Sequence, residues 1–354
     1  MPEQYFFQSS SNRVSHQDYQ LMTHQEDFHG HIAYIPERKH IVEALQRIRP
    51  FVHRTPVLTC SAIDGMLDAR VFFKCENFQK VGAFKYRGAT NAVQSLPDHL
   101  AELGVATHSS GNHAAALSLA AAVRGIPAHI VMPENASASK KAAVHSYGGR
   151  ITYCAPTLQS REETLAHVLQ ASGAIAIHPY NDERIISGQA TAAIELFEDV
   201  ADLDIVLTPV GGGGLLSGTA LAARYVSPRT SVIAAEPEGA DDAKRSFHAG
   251  HIIPSVSPNT IADGLLTSLG EKTFAVISRF VSDIVTVDDA TIIRAMRLVW
   301  QRMKIIIEAS AAVPLAMLLD KGIDASGLRI GIIISGGNTD LDKLPWMEHR
   351  MDIE

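Results

Sequence analysis

Five short runs of almost uninterrupted apolar residues constrain this chain most: Val71-Phe72-Phe73, His129-Ile130-Val131-Met132, Ile205-Val206-Leu207, Val232-Ile233-Ala234-Ala235 and Ile330-Gly331-Ile332-Ile333-Ile334. A strand with one face in water alternates apolar and polar residues, so a continuous run of strand length implies a strand covered on both faces. Ala- and Leu-rich stretches long enough for helices separate the runs, and that alternation predicts parallel α/β layers. Ligands of open α/β sheets bind beyond the carboxyl ends of the strands, so the site is expected on loops distributed along the chain. No repeat of solenoid period and no low-complexity linker interrupts residues 41–345.

At 354 residues, 46% of them hydrophobic and 19% charged, the chain can bury one large core or two medium ones. Thirty-one Lys and Arg stand against 38 Asp and Glu, a net charge of −7, which offers no attraction to a polyanion and excludes a nucleic-acid partner. The cysteines, Cys60, Cys75 and Cys154, are odd in number and lack metal spacing, so neither a disulfide framework nor a zinc site is expected. No apolar run reaches the roughly 20 residues that span a bilayer; the longest candidate, from Ala114 to Met132, carries Arg124 and His129. The first residues lack the basic-then-apolar pattern of a secretory leader. The expectation is a soluble, cytoplasmic chain with no membrane partner. Residues 1–35 are rich in Gln, Ser, His and Asn without periodicity and read as a flexible extension. There His24, His29 and His31 fit a solvated tail better than a metal site, and Met22 is an alternative start. A one-sided helix through Ile41, Val42, Leu45 and Ile48 opens the globular fold.

Three motifs carry chemistry. Pro209-Val210 leads into Gly211-Gly212-Gly213-Gly214 and then a helix starting near Leu215. Without Cβ atoms this backbone can aim successive N–H groups at an anion at a helix N-terminus, which is a phosphate cradle; a tight turn or a close helix crossing is the plainer alternative. The run spells neither a dinucleotide fingerprint nor a P-loop. Lys85, in Gly82-Ala83-Phe84-Lys85-Tyr86-Arg87-Gly88, begins a predicted helix. It is either an exposed lysine or an amine whose pKa is lowered by burial and by cations such as Arg87. His108-Ser109-Ser110-Gly111-Asn112-His113 opens another helix, either as a simple N-cap or as a binding site for a carboxylate.

Together ENFQKVGAFKYRGA, HSSGNH, PVGGGGLLSG, AAEPEGADDA, TIADGL and SGGN, in this order over residues 41–345, resemble the fold-type-II pyridoxal-phosphate enzymes, specifically the serine racemase and serine/threonine dehydratase branch. The resemblance implies two unequal open α/β domains of the tryptophan synthase β-like type, with the cofactor in the cleft between them. Residues 36–105 and 182–346 would form the large cofactor-binding domain and residues 106–181 a small domain inserted in it. Lys85 would be the Schiff-base lysine and Phe84 its neighbour beside the cofactor ring. Gly211, Gly212, Gly213 and Gly214, with Leu215, would hold the phosphate, Asn112 the ring hydroxyl, and Ser335 would face the pyridine nitrogen. Ser109, Ser110, Asn112, His113 and Arg161 would bind an amino-acid substrate.

The resemblance also implies elimination of a β-hydroxyl after Lys85 removes the Cα proton, followed by hydrolysis to a 2-oxo acid and ammonia. Racemisation needs a second acid/base on the opposite face, and Ser110 matches the family position for it, where threonine dehydratases usually have alanine. The implied activity is therefore serine racemisation with serine/threonine dehydration. A dedicated dehydratase of threonine or threo-3-hydroxyaspartate and a non-catalytic cofactor-binding relative are the alternatives. Glu236, the Ala240 carbonyl and Asp242 match a site for Mg²⁺, Ca²⁺ or Mn²⁺; an acidic loop capping a helix is the plainer reading. For ATP activation Lys80, Lys140, Tyr147 and Asn338 fit, while Ala115 replaces the glutamine of nucleotide-responsive members. Ala190 and Ala312 replace usual glycines, and methyl groups added near the cleft would either narrow the site or alter its closure. Members of the branch are commonly homodimers.

Overall fold

The computed structural model of the chain describes residues 34–348. Apart from Tyr34 and Ile35, the expected N-terminal extension, with Met22, His24, His29 and His31, lies outside the described residues. Ten strands follow in order: β1 Val57–Thr59, β2 Arg70–Cys75, β3 Val105–His108, β4 Ala128–Pro133, β5 Arg150–Cys154, β6 Ile175–Ala176, β7 Ile205–Pro209, β8 Ser231–Pro237, β9 Asp283–Val287 and β10 Arg329–Ile334. They form a six-stranded sheet ordered β1-β2-β10-β7-β8-β9 and a four-stranded sheet ordered β5-β4-β3-β6. All pairings are parallel except β1 with β2 at one edge.

The uninterrupted apolar runs are explained by where alternate residues go. On β10, Ile330, Ile332 and Ile334 enter one core and Ile333 enters another on the opposite face. Leu207 and Val206 of β7 divide in the same way, as do Ile233 with Ala235 and Val232 with Ala234 of β8. A third core, around Tyr86, Leu117, Ile130 and Met132, covers the smaller sheet. The first helix, Arg38–Ile48, buries Ile41, Ala44 and Ile48; Val42, read as apolar-facing from its spacing, is 43% exposed.

The long helix Glu183–Asp199 packs very closely on two others. A Cβ on Gly188 would lie 2.6 Å from the Cα of Gly88 in the helix Lys85–Gln94, so these backbones touch where neither residue has a side chain. On its other side, a Cβ on Gly218 of the helix Gly214–Val226 would lie 2.6 Å from the Ala190 nitrogen. Ala190 is therefore a core residue at a helix crossing and Ala312 belongs to the core on the other face of the large sheet, so neither methyl narrows a cleft as the sequence suggested.

Beside the Gly88–Gly188 contact, four charges are buried as a neutral set. The Arg87 guanidinium donates to both oxygens of Glu76 (2.7 and 2.8 Å) and to both oxygens of Glu195 (2.8 Å each). Lys74 donates to Glu195 and to the Thr55 carbonyl, 2.7 Å each. Every charge is paired and hydrogen-bonded, the condition under which burial of ions is tolerated.

Candidate active site

Four of the segments singled out in the sequence follow the carboxyl ends of strands. Lys85 follows β2, the glycine run follows β7, Ser335 follows β10, and Ser109 to His113 follow β3. Because β2, β10 and β7 are neighbours in the large sheet, the lysine, the serine and the glycine run are brought to one edge. The Phe84 amide donates to the Ser335 carbonyl at 3.0 Å, and Ala83 bridges to Gly336, which ties the start of the lysine helix to the end of β10.

Lys85 is the first residue of its helix, and its Nζ donates to the Pro179 carbonyl at 2.9 Å. Part of the residue remains accessible, yet the surrounding protein is dense enough that desolvation pushes the amine from 10.5 down to about 8, against the opposing charge of Glu308. The sequence attributed such a shift partly to Arg87. That cause is absent, because Arg87 is consumed by Glu76 and Glu195. The Lys85 Nζ lies 5.2 Å from the centre of the Phe84 ring.

The glycine run realises the plainer of the two readings left open by the sequence and leaves donors free for the other. Gly213 has φ of +87°, and a Cβ on Gly212 would fall 2.3 Å from the Tyr180 ring, so turn geometry and packing demand glycine. Among the described residues, the amides of Gly212, Gly213, Gly214 and Leu215 also find no backbone acceptor, leaving a set of donors at the N-terminus of the helix Gly214–Val226. Ser335 Oγ is buried without a hydrogen-bond partner. An anion cradle, a desolvated amine and an orphaned hydroxyl at one sheet edge suit pyridoxal phosphate, which presents a phosphate, an aldehyde and a ring nitrogen. The residues present fit that group.

Asn112 starts the helix Asn112–Arg124, whose N-cap is Gly111 with no side-chain cap, so the serines are not spent on capping. The amides of Asn112 and His113 have no acceptor among the described residues, and the Ser110 hydroxyl makes no hydrogen bond there. The Ser109 hydroxyl receives the Gly111 amide at 3.4 Å. The His113 side chain is buried, its Nε2 lies 3.4 Å from the Ile177 carbonyl, and desolvation lowers it to about 3. What His113 can offer a carboxylate is its backbone amide. Arg161, in the first turn of the helix Leu158–Ser172, has a buried Nε without a partner, and its charge helps lower His108.

Glu308 was missed. It is buried, it receives the Asn112 Nδ2 at 3.1 Å on each oxygen and the Asn338 amide at 3.2 Å, and desolvation raises it to about 7. Asn338 Nδ2 donates to Asn112 Oδ1 at 2.9 Å and to the Val81 carbonyl at 2.7 Å, so the amide of Asn112 is oriented from both ends. The only available signal was an acidic residue heading the small-residue run Ala309-Ser310-Ala311-Ala312. Asn338, read from the sequence as a nucleotide contact, is engaged here, and Lys140 pairs with Asp263 at 2.6 Å.

At the end of β8, Glu236 accepts the amides of Ala243 and Lys244 at 2.8 and 2.9 Å and so caps the helix Asp242–Ala249. The plainer reading is realised, but it does not account for the acid that remains. Asp242 Oδ2 is buried without a partner, and desolvation raises Glu236 to about 8 and Asp242 to about 6. Desolvated carboxylates, one of them with an unpartnered oxygen, are the donor type that a hard divalent cation takes. Among the described residues no group of three or more His, Cys, Asp or Glu gathers as a complete protein cage, and no helix is long and apolar enough to cross a membrane.

The chain is similar to known proteins over most of its length. The family model described as pyridoxal-phosphate dependent enzyme matches residues 48–336. The chain is 53% identical over 313 residues to a β-hydroxyaspartate dehydratase of Paracoccus denitrificans, covering 88% of this chain and 99% of that one. It is 50% identical over 309 residues to a serine racemase of Arabidopsis thaliana, covering 86% and 93%. Among solved structures, maize serine racemase superimposes with a TM-score of 0.86 at 48% identity, covering 89% of this chain and 97% of that one.

Proposed function

This chain belongs to the pyridoxal-phosphate-dependent enzymes, and from that premise we propose that it dehydrates and racemises L-serine and related β-hydroxy amino acids. The observation that carries the reading is Lys85: a desolvated amine at about 8, held by the Pro179 carbonyl, at the same sheet edge as the glycine cradle and Ser335. Bound pyridoxal phosphate supplies an electron sink that acidifies the substrate Cα–H bond. The residues of the chain do the remainder. The amides of Gly211 to Leu215 would bind the phosphate, Asn112, aligned by Glu308 and Asn338, would hold the ring hydroxyl, and Ser335 Oγ would meet the ring nitrogen. A neutral hydroxyl there does not force a proton onto the ring. The amides of Asn112 and His113, with Ser109, receive the substrate carboxylate at a helix N-terminus. Lys85 Nζ takes the Cα proton. The β-hydroxyl then departs as water, carrying away that proton, and addition of a second water releases the 2-oxo acid and ammonia.

Racemisation requires Cα to be reprotonated on the opposite face, and we assign that proton to Ser110, whose hydroxyl is unengaged. Ser110→Ala is expected to suppress formation of D-serine at least about 100-fold, the usual scale for loss of a positioned acid/base, while L-serine dehydration survives. Equal loss of both activities would make Ser110 a carboxylate binder or a structural residue instead.

A second reading rests on Arg161. Its buried, unpartnered Nε–H can donate to a second carboxylate, which favours threo-3-hydroxyaspartate over serine, and a β-hydroxyaspartate dehydratase is 53% identical to this chain over 313 residues. A divalent cation, Mg²⁺ first, is assigned to Glu236, the Ala240 carbonyl and Asp242, on the strength of the orphaned Asp242 Oδ2.

A further inference from the structure

The carbonyl that holds Lys85 belongs to the peptide group joining Pro179 to Tyr180, and the other end of that group is also held. The Tyr180 amide donates to His178 Nδ1 at 3.3 Å, and the Asn181 amide donates to the same nitrogen at 2.9 Å. No cis peptide occurs among the described residues. In a trans peptide the N–H and C=O point in opposite directions, so an acceptor that fixes the Tyr180 N–H also fixes the direction of the Pro179 oxygen. We propose that His178 is a positioning residue for Lys85, acting through this single peptide group.

Three further observations support it. An Nδ1 that accepts two amides must carry its proton on Nε2, so the ring is held in one neutral tautomer. Burial keeps it neutral, lowering it to about 4. The rest of the loop is anchored independently: Asn181 Oδ1 accepts the Lys272 amide at 2.8 Å, Asp182 accepts the Arg184 amide at 2.8 Å, and the Tyr180 ring lies against Gly212. Removing the imidazole thus releases the Tyr180 and Asn181 amides, and with the first the direction of the Pro179 carbonyl, while the Asn181 side chain, Asp182 and the Tyr180 ring keep their own anchors. Hydrogen bonding at the N–H also polarises the carbonyl, strengthening its hold on an amine.

The consequence concerns the amine when it is not bonded to the cofactor, which is when it must move a proton at Cα. The Pro179 carbonyl gives free Lys85 a defined resting place, and His178 sets that place. This inference rests on the assignment of Lys85 as the cofactor-linking residue.

The test compares His178→Ala with His178→Asn, whose Oδ1 can take the two amides that Nδ1 accepts. Protein stripped of cofactor is mixed with pyridoxal phosphate, growth of the visible lysine-linked absorption is timed, and kcat and KM for L-serine are measured on the reconstituted enzymes. His178→Ala is expected to slow linkage and lower kcat by about tenfold each, the scale of one lost hydrogen bond, with KM little changed; His178→Asn is expected to restore both. If His178→Ala links and turns over as wild type does, the inference is wrong. If His178→Asn fails as badly as His178→Ala in kcat, the imidazole acts directly and the inference is again wrong. Lys85→Ala separates this from the underlying reading: visible linkage surviving there would remove the lysine assignment itself.

Discussion

An amine with a pKa of 10.5 is almost wholly protonated at neutral pH and is a poor base and nucleophile. In Lys85, burial favours the neutral form and brings the pKa to about 8. The free-amine fraction therefore rises with pH through about 8. The rate at which cofactor-free protein links pyridoxal phosphate should follow it with a midpoint near 8; a midpoint above 10 would contradict a desolvated lysine. Lys85, Asn112, Ser335 and the glycines were legible because each sits in a local motif whose residue types suit one task. Glu308 was not, because what it does depends on a contact with Asn112 that spans 196 positions. The misreading of Arg87 has the same origin: its charge is cancelled by Glu76 and Glu195, which no local spacing reveals.

Among elements, the strands buried on both faces were readable and the edge strands were not. β7, β8 and β10 appear as unbroken apolar runs because each feeds two cores. β5 is largely exposed, β6 has two residues and β1 three, so these leave no comparable pattern. The turn at the end of β8 realises the capping reading and leaves one polar atom over. Glu236 caps a helix, as a bland reading has it, while Asp242 keeps a buried oxygen without a partner. A cation bound there would stabilise the fold by about 2.7 kcal/mol at a hundredfold excess over its dissociation constant. Thermal melts with and without Mg²⁺ should show an upward shift in the wild type and none in Asp242→Ala. No shift in the wild type, or the same shift in both, would remove the metal from this site.

For the whole molecule, the chain's length and order of motifs imply a site assembled from separate strand ends, and the fold brings those ends together. Lys85, the glycine run and Ser335 meet at one edge of the large sheet, while Ser109 to His113 and His178 to Asn181 come from strand ends of the smaller one. Close helix crossings at Gly88–Gly188 and Gly218–Ala190 hold the lysine helix and the cradle helix to a common partner. The sequence could name these parts but not their mutual anchoring, such as the hydrogen bond from Phe84 to Ser335, which exists only once β2 and β10 pair. In the function proposed above, this assembly uses Lys85 to run pyridoxal-phosphate chemistry on β-hydroxy amino acids. The most direct measurement incubates wild type and Lys85→Ala with L-serine, D-serine, L-threonine and threo-3-hydroxyaspartate, quantifying both enantiomers and the 2-oxo acid. The wild type is predicted to be yellow and to convert at least L-serine or threo-3-hydroxyaspartate, and Lys85→Ala to lose both the visible absorption and every conversion. Turnover persisting in Lys85→Ala, or no product from any of the four with the wild type, would contradict the account.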